Sequence, residues 1–174
     1  VLLYAYGAYK HSISPSFSAS RFCLVDRGIT FAIAHVRGGG DVSDAWHTEG
    51  KKKLKKNTFL DYIACANHLI DQRYSYKGGI CFYGGSAGGL TGSAVANMAP
   101  DLFFSMLLLV PFVDTLTTML NEKLPLTPAE WELWGNPIKS KEYFEYLLSY
   151  SPSNNLDKKK YQPIIVTTSI FDNP

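Results

Sequence analysis

A chain of 174 residues is one domain's worth and long enough to bury a real core, and 46% apolar with 18% charged residues is ordinary for a globular soluble protein. The net charge of +2 gives no reason to invoke a nucleic-acid partner. The longest apolar run, Met106 to Val113, is interrupted by Pro111 and falls short of a membrane span, so no membrane partner is expected either.

In chain order, Leu2-Leu3-Tyr4-Ala5-Tyr6 is a continuous apolar run ended by Gly7, as expected of a strand buried on both faces. Lys10 to Ser20 is serine-rich and reads as a loop. Phe22 to Val25 reads as a short helix closed by Gly28, and Ile29 to Val36 as a second buried strand that leaves through Arg37-Gly38-Gly39-Gly40-Asp41. The basic run Lys51-Lys52-Lys53 with Lys55-Lys56 follows Asp44 and Glu49, carries no interleaved aromatics and reads as a solvated loop. Asn57 to Tyr74 has the strongest helical pattern. Thr58-x-x-Asp61 predicts a capping box, and Phe59, Ile63, Ala66, Leu69 and Ile70 recur at helical spacing. Gly79 to Tyr83 is a third strand, Leu90 to Ala99 a helix stopped by Pro100, and Met106 to Phe112 a fourth strand. A segment of different composition, Thr115 to Ser151, reads as a helical insertion. Within it one short helix starts at Thr127-Pro128 and ends at Gly135-Asn136-Pro137, and another runs from Lys141 to Tyr150. Ile164 to Thr168 is a fifth strand. Alternating buried strands and helices predict an α/β fold, a doubly wound, mostly parallel sheet covered on both faces.

Cys23, Cys65 and Cys81 are odd in number, sit in apolar contexts and lack Cys-x-x-Cys spacing. They read as buried thiols of a reducing compartment, which fits a cytoplasmic location, and no metal site or cofactor is expected. The chain starts at Val1 inside one apolar run and stops at Pro174 just after another. An internal piece of a longer protein is therefore expected.

The chemistry concentrates at Tyr83-Gly84-Gly85-Ser86-Ala87-Gly88-Gly89. Gly84-x-Ser86-x-Gly88 between a strand and a helix is the pattern of a nucleophile elbow, in which a sharp turn lifts the serine hydroxyl above the sheet edge. Glycine is required at the flanks because side chains there would strike the neighbouring strand and helix. A glycine-rich nucleotide loop is the competing reading, but Gly-x-Gly-x-x-Gly is absent and a serine holds the centre. Serine needs a histidine base and an acid to orient it, in the chain order serine, acid, histidine. Asp172 follows the fifth strand at the sheet's carboxyl edge, where such an acid belongs; an Asp-Asn-Pro turn is the alternative. His11, His35, His47 and His68 all precede Ser86, so the base is expected beyond Pro174 and the 174-residue piece is expected to be inactive alone. The Ala87 N–H is one expected oxyanion donor, and Tyr6 before Gly7 is either the second or a packing residue.

Several motifs in fixed order carry a resemblance that spans essentially the whole chain: Tyr4-Ala5-Tyr6-Gly7, His35-Val36-Arg37-Gly38-Gly39-Gly40, Asn57-Thr58-Phe59-x-Asp61-Tyr62 and Gly84-Gly85-Ser86-Ala87-Gly88-Gly89. With them the chain resembles the prolyl oligopeptidase family of serine peptidases. Val110-Pro111-Phe112-Val113-Asp114, Thr117-Thr118-Met119-Leu120, Pro125-Leu126-Thr127 and Trp134-Gly135-Asn136-Pro137 resemble its oligopeptidase B branch. The resemblance implies a partial α/β-hydrolase peptidase domain over residues 1–174, incomplete at its C-terminus and preceded in the parent chain by a β-propeller that limits substrate size. It implies cleavage of short peptides after Arg or Lys, with Ser86 as nucleophile, Asp172 as triad acid, and Tyr6 with the Ala87 N–H as oxyanion hole. It also implies that Glu130 and Glu132 hold the substrate's basic side chain. Two carboxylates suit a guanidinium, yet Glu130 also fits a capping position after Thr127, and residues two apart on a helix face different ways, which favours Glu132. Where family members often carry acids that select a second basic residue, this chain has Ser14 and Ser16. An esterase or acyl-peptide hydrolase on the same fold and a non-catalytic scaffold are the remaining readings.

Overall fold

The computed structural model describes residues 1–170. Five parallel strands form one sheet in the order β2-β1-β3-β4-β5, with β1 at Leu2–Tyr4, β2 at Phe31–Ile33, β3 at Ile80–Gly85, β4 at Phe103–Leu109 and β5 at Ile164–Thr167. β3 is central, with Tyr83 level with Tyr4 of β1 on one side and Leu107 of β4 on the other. Parallel neighbours require long crossovers, and the intervening helices provide them. These are α1 (Ala19–Val25), α2 (Asp44–Thr48), α3 (Lys56–Asp71), α4 (Ala87–Met98), α5 (Thr115–Leu120), α6 (Thr127–Trp134) and α7 (Lys141–Leu148). The α/β architecture expected from strand–helix alternation is the one observed.

Two helices cover the sheet beside the elbow. α3 turns Phe59, Tyr62 and Ala66 inward at intervals of three and four, the spacing of a single helical stripe. α4 is buried almost all round, which its run of glycine, alanine and leucine permits without burying a charge. The core lies between them and the strands, with Leu3, Phe59, Tyr62, Phe82, Leu90 and Met106 almost wholly removed from water. The only polar atom of the Tyr62 ring, its hydroxyl, donates to the Leu3 carbonyl at 3.0 Å.

Several local expectations need correction. The predicted capping box at Thr58 and Asp61 does not form, because α3 begins at Lys56 and places both residues inside the helix. Instead the Thr58 hydroxyl donates to the Arg37 carbonyl at 2.6 Å. Asp61 accepts the Arg37 backbone N–H at 2.9 Å and its guanidinium at 2.6 and 2.8 Å. A helix start was legible there, but its polar side chains serve a neighbouring turn. The basic run is not a solvated loop throughout: Lys52–Leu54 form one 3-10 turn, and Lys55 is only 1% exposed. Cys23 is exposed rather than buried, while Cys65 and Cys81 are half-buried, and all three are free thiols. The first two strands are shorter than their apolar runs: β1 stops at Tyr4, before Ala5-Tyr6, and β2 covers only Phe31–Ile33 of the run from Ile29 to Val36. α2 and α5 were not anticipated, although each has a readable start. The Ser43 hydroxyl accepts from the Trp46 N–H at 3.3 Å, and the Asp114 carboxylate accepts from the Thr117 N–H at 3.3 Å.

Candidate active site

Ser86 joins the end of β3 to the start of α4 and has φ 52° and ψ −121°, a conformation that residues with a side chain rarely adopt. Three backbone hydrogen bonds hold it there. Its N–H donates to the Leu109 carbonyl at 2.9 Å, and its carbonyl accepts from Leu90 at 3.1 Å and Phe112 at 3.0 Å. The strain is thus fixed by β4 and its exit as well as by α4. The turn needs glycine where it grazes the residue after β1: a Cβ on Gly88 would lie 2.7 Å from the Ala5 carbonyl oxygen. Ser86 is exposed, whereas Ala87, Gly88 and Gly89 beneath it are buried. Ala87 is the first residue of α4, so its N–H has no acceptor within the helix and points into the region where that helix end favours negative charge.

Tyr6 leaves the end of β1 and its phenol meets Ser86. Burial raises that phenol above its ordinary value, the nearby Ser86 side chain lowers it in part, and the charge of Glu130 raises it again. The Tyr6 carbonyl accepts from the Thr91 hydroxyl of α4 at 3.2 Å, tying the tyrosine's backbone to the helix that carries Ser86. His11 stands edge-on to the Tyr6 ring, with centroids 5.3 Å apart.

The two sequence-predicted carboxylates of α6 part company. Glu130 is half-buried and accepts the Tyr9 hydroxyl at 2.8 and 2.9 Å on its two oxygens and the Trp134 indole N–H at 2.5 Å. Its helix start is not a capping box, since the Thr127 hydroxyl donates instead to the Thr118 carbonyl at 3.1 Å. Burial, then the hydrogen bond to Glu130, pushes the Tyr9 phenol far up, so it stays a donor. The Tyr9 ring stacks edge-on to Trp134 at 5.9 Å and lies 6.3 Å from Tyr6, placing Glu130 on the Ser86 side of α6. The Glu132 side chain is 85% exposed and pairs with Lys52 at 3.0 Å, which lowers its carboxyl below the usual range. Tyr9 was not anticipated. Nothing in its sequence context marks it, because its reach to Glu130 depends on φ 57° at both Tyr9 and Lys10.

The predicted acid Asp172 lies outside the described residues. Among the described residues no histidine is hydrogen-bonded to Ser86. His35 meets the Ile13 carbonyl at 3.0 Å, His47 the Gly38 carbonyl at 3.1 Å, and His68 rides the last turn of α3.

This arrangement can present a serine hydroxyl, an N–H and a phenol to one carbonyl group, with a carboxylate nearby. A family model described as "Prolyl oligopeptidase family" matches residues 15–174. The chain belongs to the prolyl oligopeptidase family. Within this family it is 47% identical over 172 residues to Protease 2 of Moraxella lacunata, covering 99% of this chain and 25% of that protein. It is 46% identical over 172 residues to dipeptidyl aminopeptidase BI of Pseudoxanthomonas mexicana, covering 99% of this chain and 24% of that one. Among solved structures, oligopeptidase B from Trypanosoma brucei with covalently bound antipain, in a closed form, superposes with a TM-score of 0.92 at 46% identity. That match covers 95% of this chain and 23% of the other. The chain thus spans about a quarter of the length of the prolyl oligopeptidase family members it matches. The α/β-hydrolase domain that the resemblance implies is the part of these peptidases that it matches.

Proposed function

We propose that the protein containing this chain is a serine oligopeptidase that cleaves short peptides after Arg or Lys. The observation that carries this reading is the strained, exposed Ser86 at the start of α4, with the Tyr6 phenol close enough for the Ser86 side chain to lower its pKa and the first N–H of α4 beside it. In the proposed reaction the Ser86 oxygen bonds to the scissile carbonyl carbon. Its proton passes to a histidine of the parent chain oriented by Asp172, and that histidine then protonates the departing amine. The carbonyl oxygen, negatively charged in the tetrahedral intermediate, is met by the Ala87 N–H and the Tyr6 hydroxyl. Water then hydrolyses the ester on Ser86, with the same histidine taking its proton. Covalent antipain in the Trypanosoma brucei oligopeptidase B supports covalent chemistry at such a site.

Selection for a basic side chain falls to Glu130. A guanidinium leaving water needs an anion held in place, and Glu130 is half-buried and oriented by two donors, whereas Glu132 is solvated and already paired. The upstream β-propeller proposed for the parent chain would restrict substrates to short peptides. A second reading, release of dipeptides by the same serine, is favoured by the name of the Pseudoxanthomonas mexicana relative.

The test uses the parent enzyme with a fluorophosphonate label and a substrate series. Labelling abolished by Ser86→Ala, with Arg-amides cleaved faster than neutral amides or simple esters, is expected. Equal cleavage of N-terminally blocked and free peptides favours the endopeptidase, and loss on blocking favours dipeptide release. Labelling that survives Ser86→Ala overturns the assignment.

A further inference from the structure

Lys55 combines several features that stability does not account for. It is 1% exposed, and among the described residues no carboxylate pairs with it. Its ammonium nitrogen donates to the Gly7 carbonyl at 2.5 Å and to the Thr58 hydroxyl at 3.1 Å. The rest of its surroundings are rings, with Trp134 at 5.2 Å and Phe59 at 5.9 Å from the nitrogen. Lys55 also occupies the N-cap of α3, where a helix disfavours positive charge. Burial pushes its pKa down to about 7. An apolar residue of the same length would fill this space without burying a cation, so a device built for stability alone would not use lysine here.

What the lysine touches is the residue after the tyrosine of the active site. Gly7, at φ 77°, is where the chain turns out of β1, and the turn of Arg37 and Gly38 crosses directly over it: a Cβ on Gly38 would run into the Gly7 carbonyl. Thr58, the second partner of Lys55, donates its own hydroxyl hydrogen bond to the Arg37 carbonyl. Lys55 and Thr58 therefore fasten both crossing turns to the head of α3, while Thr91 of α4 fastens the Tyr6 carbonyl. Two helices thus fix the two peptide groups on either side of Gly7.

We propose that Lys55 is a positioning residue that, through the Gly7 carbonyl, holds Tyr6 where its hydroxyl meets the oxyanion formed on attack by Ser86. The inference rests on the proposed function, and it adds a residue that touches neither substrate nor nucleophile. A shift of an ångström in an oxyanion donor is costly, because the donor must meet charge that exists only in the transition state. Loss of such a donor lowers kcat about 100- to 1,000-fold, and partial misplacement costs less.

The experiment is a double-mutant cycle in the parent enzyme, with wild type, Lys55→Met, Tyr6→Phe and the double variant measured on one Arg-amide. Lys55→Gln, which keeps an N–H donor, is run alongside in case the methionine variant does not fold. Lys55→Met is expected to lower kcat about 10- to 100-fold with KM within about twofold, and with a melting temperature equal to wild type or higher. In the Tyr6→Phe background the same change is expected to cost little, since two residues acting as one unit are not additive. Independent, multiplying losses overturn the proposal, as does an unchanged kcat or a kcat that falls only as far as the folded fraction does. A wild-type activity untouched by Ser86→Ala would overturn the proposed function itself, an outcome distinct from an active enzyme indifferent to Lys55.

Discussion

The Tyr9 hydroxyl lies 2.8 and 2.9 Å from the two carboxylate oxygens of Glu130, in a chain where the two residues are 121 positions apart. The contact turns one acid of α6 toward Tyr6 and Ser86, while its neighbour two positions on faces water and Lys52. Two carboxylates equivalent in sequence thus sit in different dielectric surroundings.

Glu130→Gln and Glu132→Gln should therefore differ. Removing one side of a desolvated charge pair costs about 2–5 kcal/mol, so Glu130→Gln is expected to lower kcat/KM for Arg substrates by roughly 30-fold or more. Glu132 belongs to an exposed pair, and its replacement is expected to change kcat/KM by no more than about fivefold. Neutral substrates should be affected little by either change. Steady-state kinetics on Arg, Lys and neutral amides decide it, and a larger loss from Glu132→Gln would relocate the basic pocket.

Ser86 carries strain that the proposed chemistry requires and its stability does not. Ser86→Gly should abolish labelling by a fluorophosphonate and also raise the melting temperature, since glycine adopts φ 52° without the side-chain cost of about 1–3 kcal/mol. Ser86→Ala should abolish labelling with little change in melting temperature. Differential scanning fluorimetry on the parent enzyme reads both, and a glycine variant that melts below the alanine variant contradicts strain at this residue.

Gly88→Ala tests the close approach at the elbow. Its methyl would press on the Ala5 carbonyl oxygen at 2.7 Å, a backbone atom that cannot rotate away. A loss of about 1–3 kcal/mol is expected, with a fall in activity as β1 and Tyr6 shift. Thermal melts and kcat together check this, and full activity with an unchanged melt would mean that the turn relaxes freely.

What the sequence made legible follows from the range of the forces involved. Parallel strands appear as unbroken apolar runs, so all five could be read, although β5 proves exposed rather than buried, and α3 could be read from its stripe. The elbow was legible because its glycines and serine are adjacent and serve one turn. Thr58, Asp61 and Lys55 were misread because their partners, Arg37 and Gly7, lie 21, 24 and 48 residues away. Local rules assigned a cap and a solvated loop, but tertiary contacts took the same polar groups. The orientation of Glu130 was hidden for a similar reason, since it depends on the left-handed backbone of Tyr9 and Lys10.

The depressed pKa of Lys55 makes a pH prediction whose sign can be worked out. In the unfolded chain the lysine titrates near 10.5, and in the folded protein near 7 because burial disfavours its charged form. Between those values the unfolded state binds more protons, so the wild-type protein gains stability as pH rises through that window. Below about pH 7 both states are protonated and the full cost of burying the cation is present. Lys55→Met has no such cost at any pH. The melting temperature of Lys55→Met minus that of wild type is therefore expected to be largest at pH 6–7 and to shrink toward pH 10. His47, Lys51 and Tyr9 lie around Lys55, and Glu130 reaches the same place through Trp134, but these groups are common to both proteins. Their titration cancels in the difference as long as the substitution leaves their own surroundings unchanged. Paired melts across pH 6–10 in constant salt make the measurement. A difference that stays flat with pH would mean that the Gly7 carbonyl and the Trp134 and Phe59 rings compensate the ammonium fully, leaving its pKa near that of a solvated lysine.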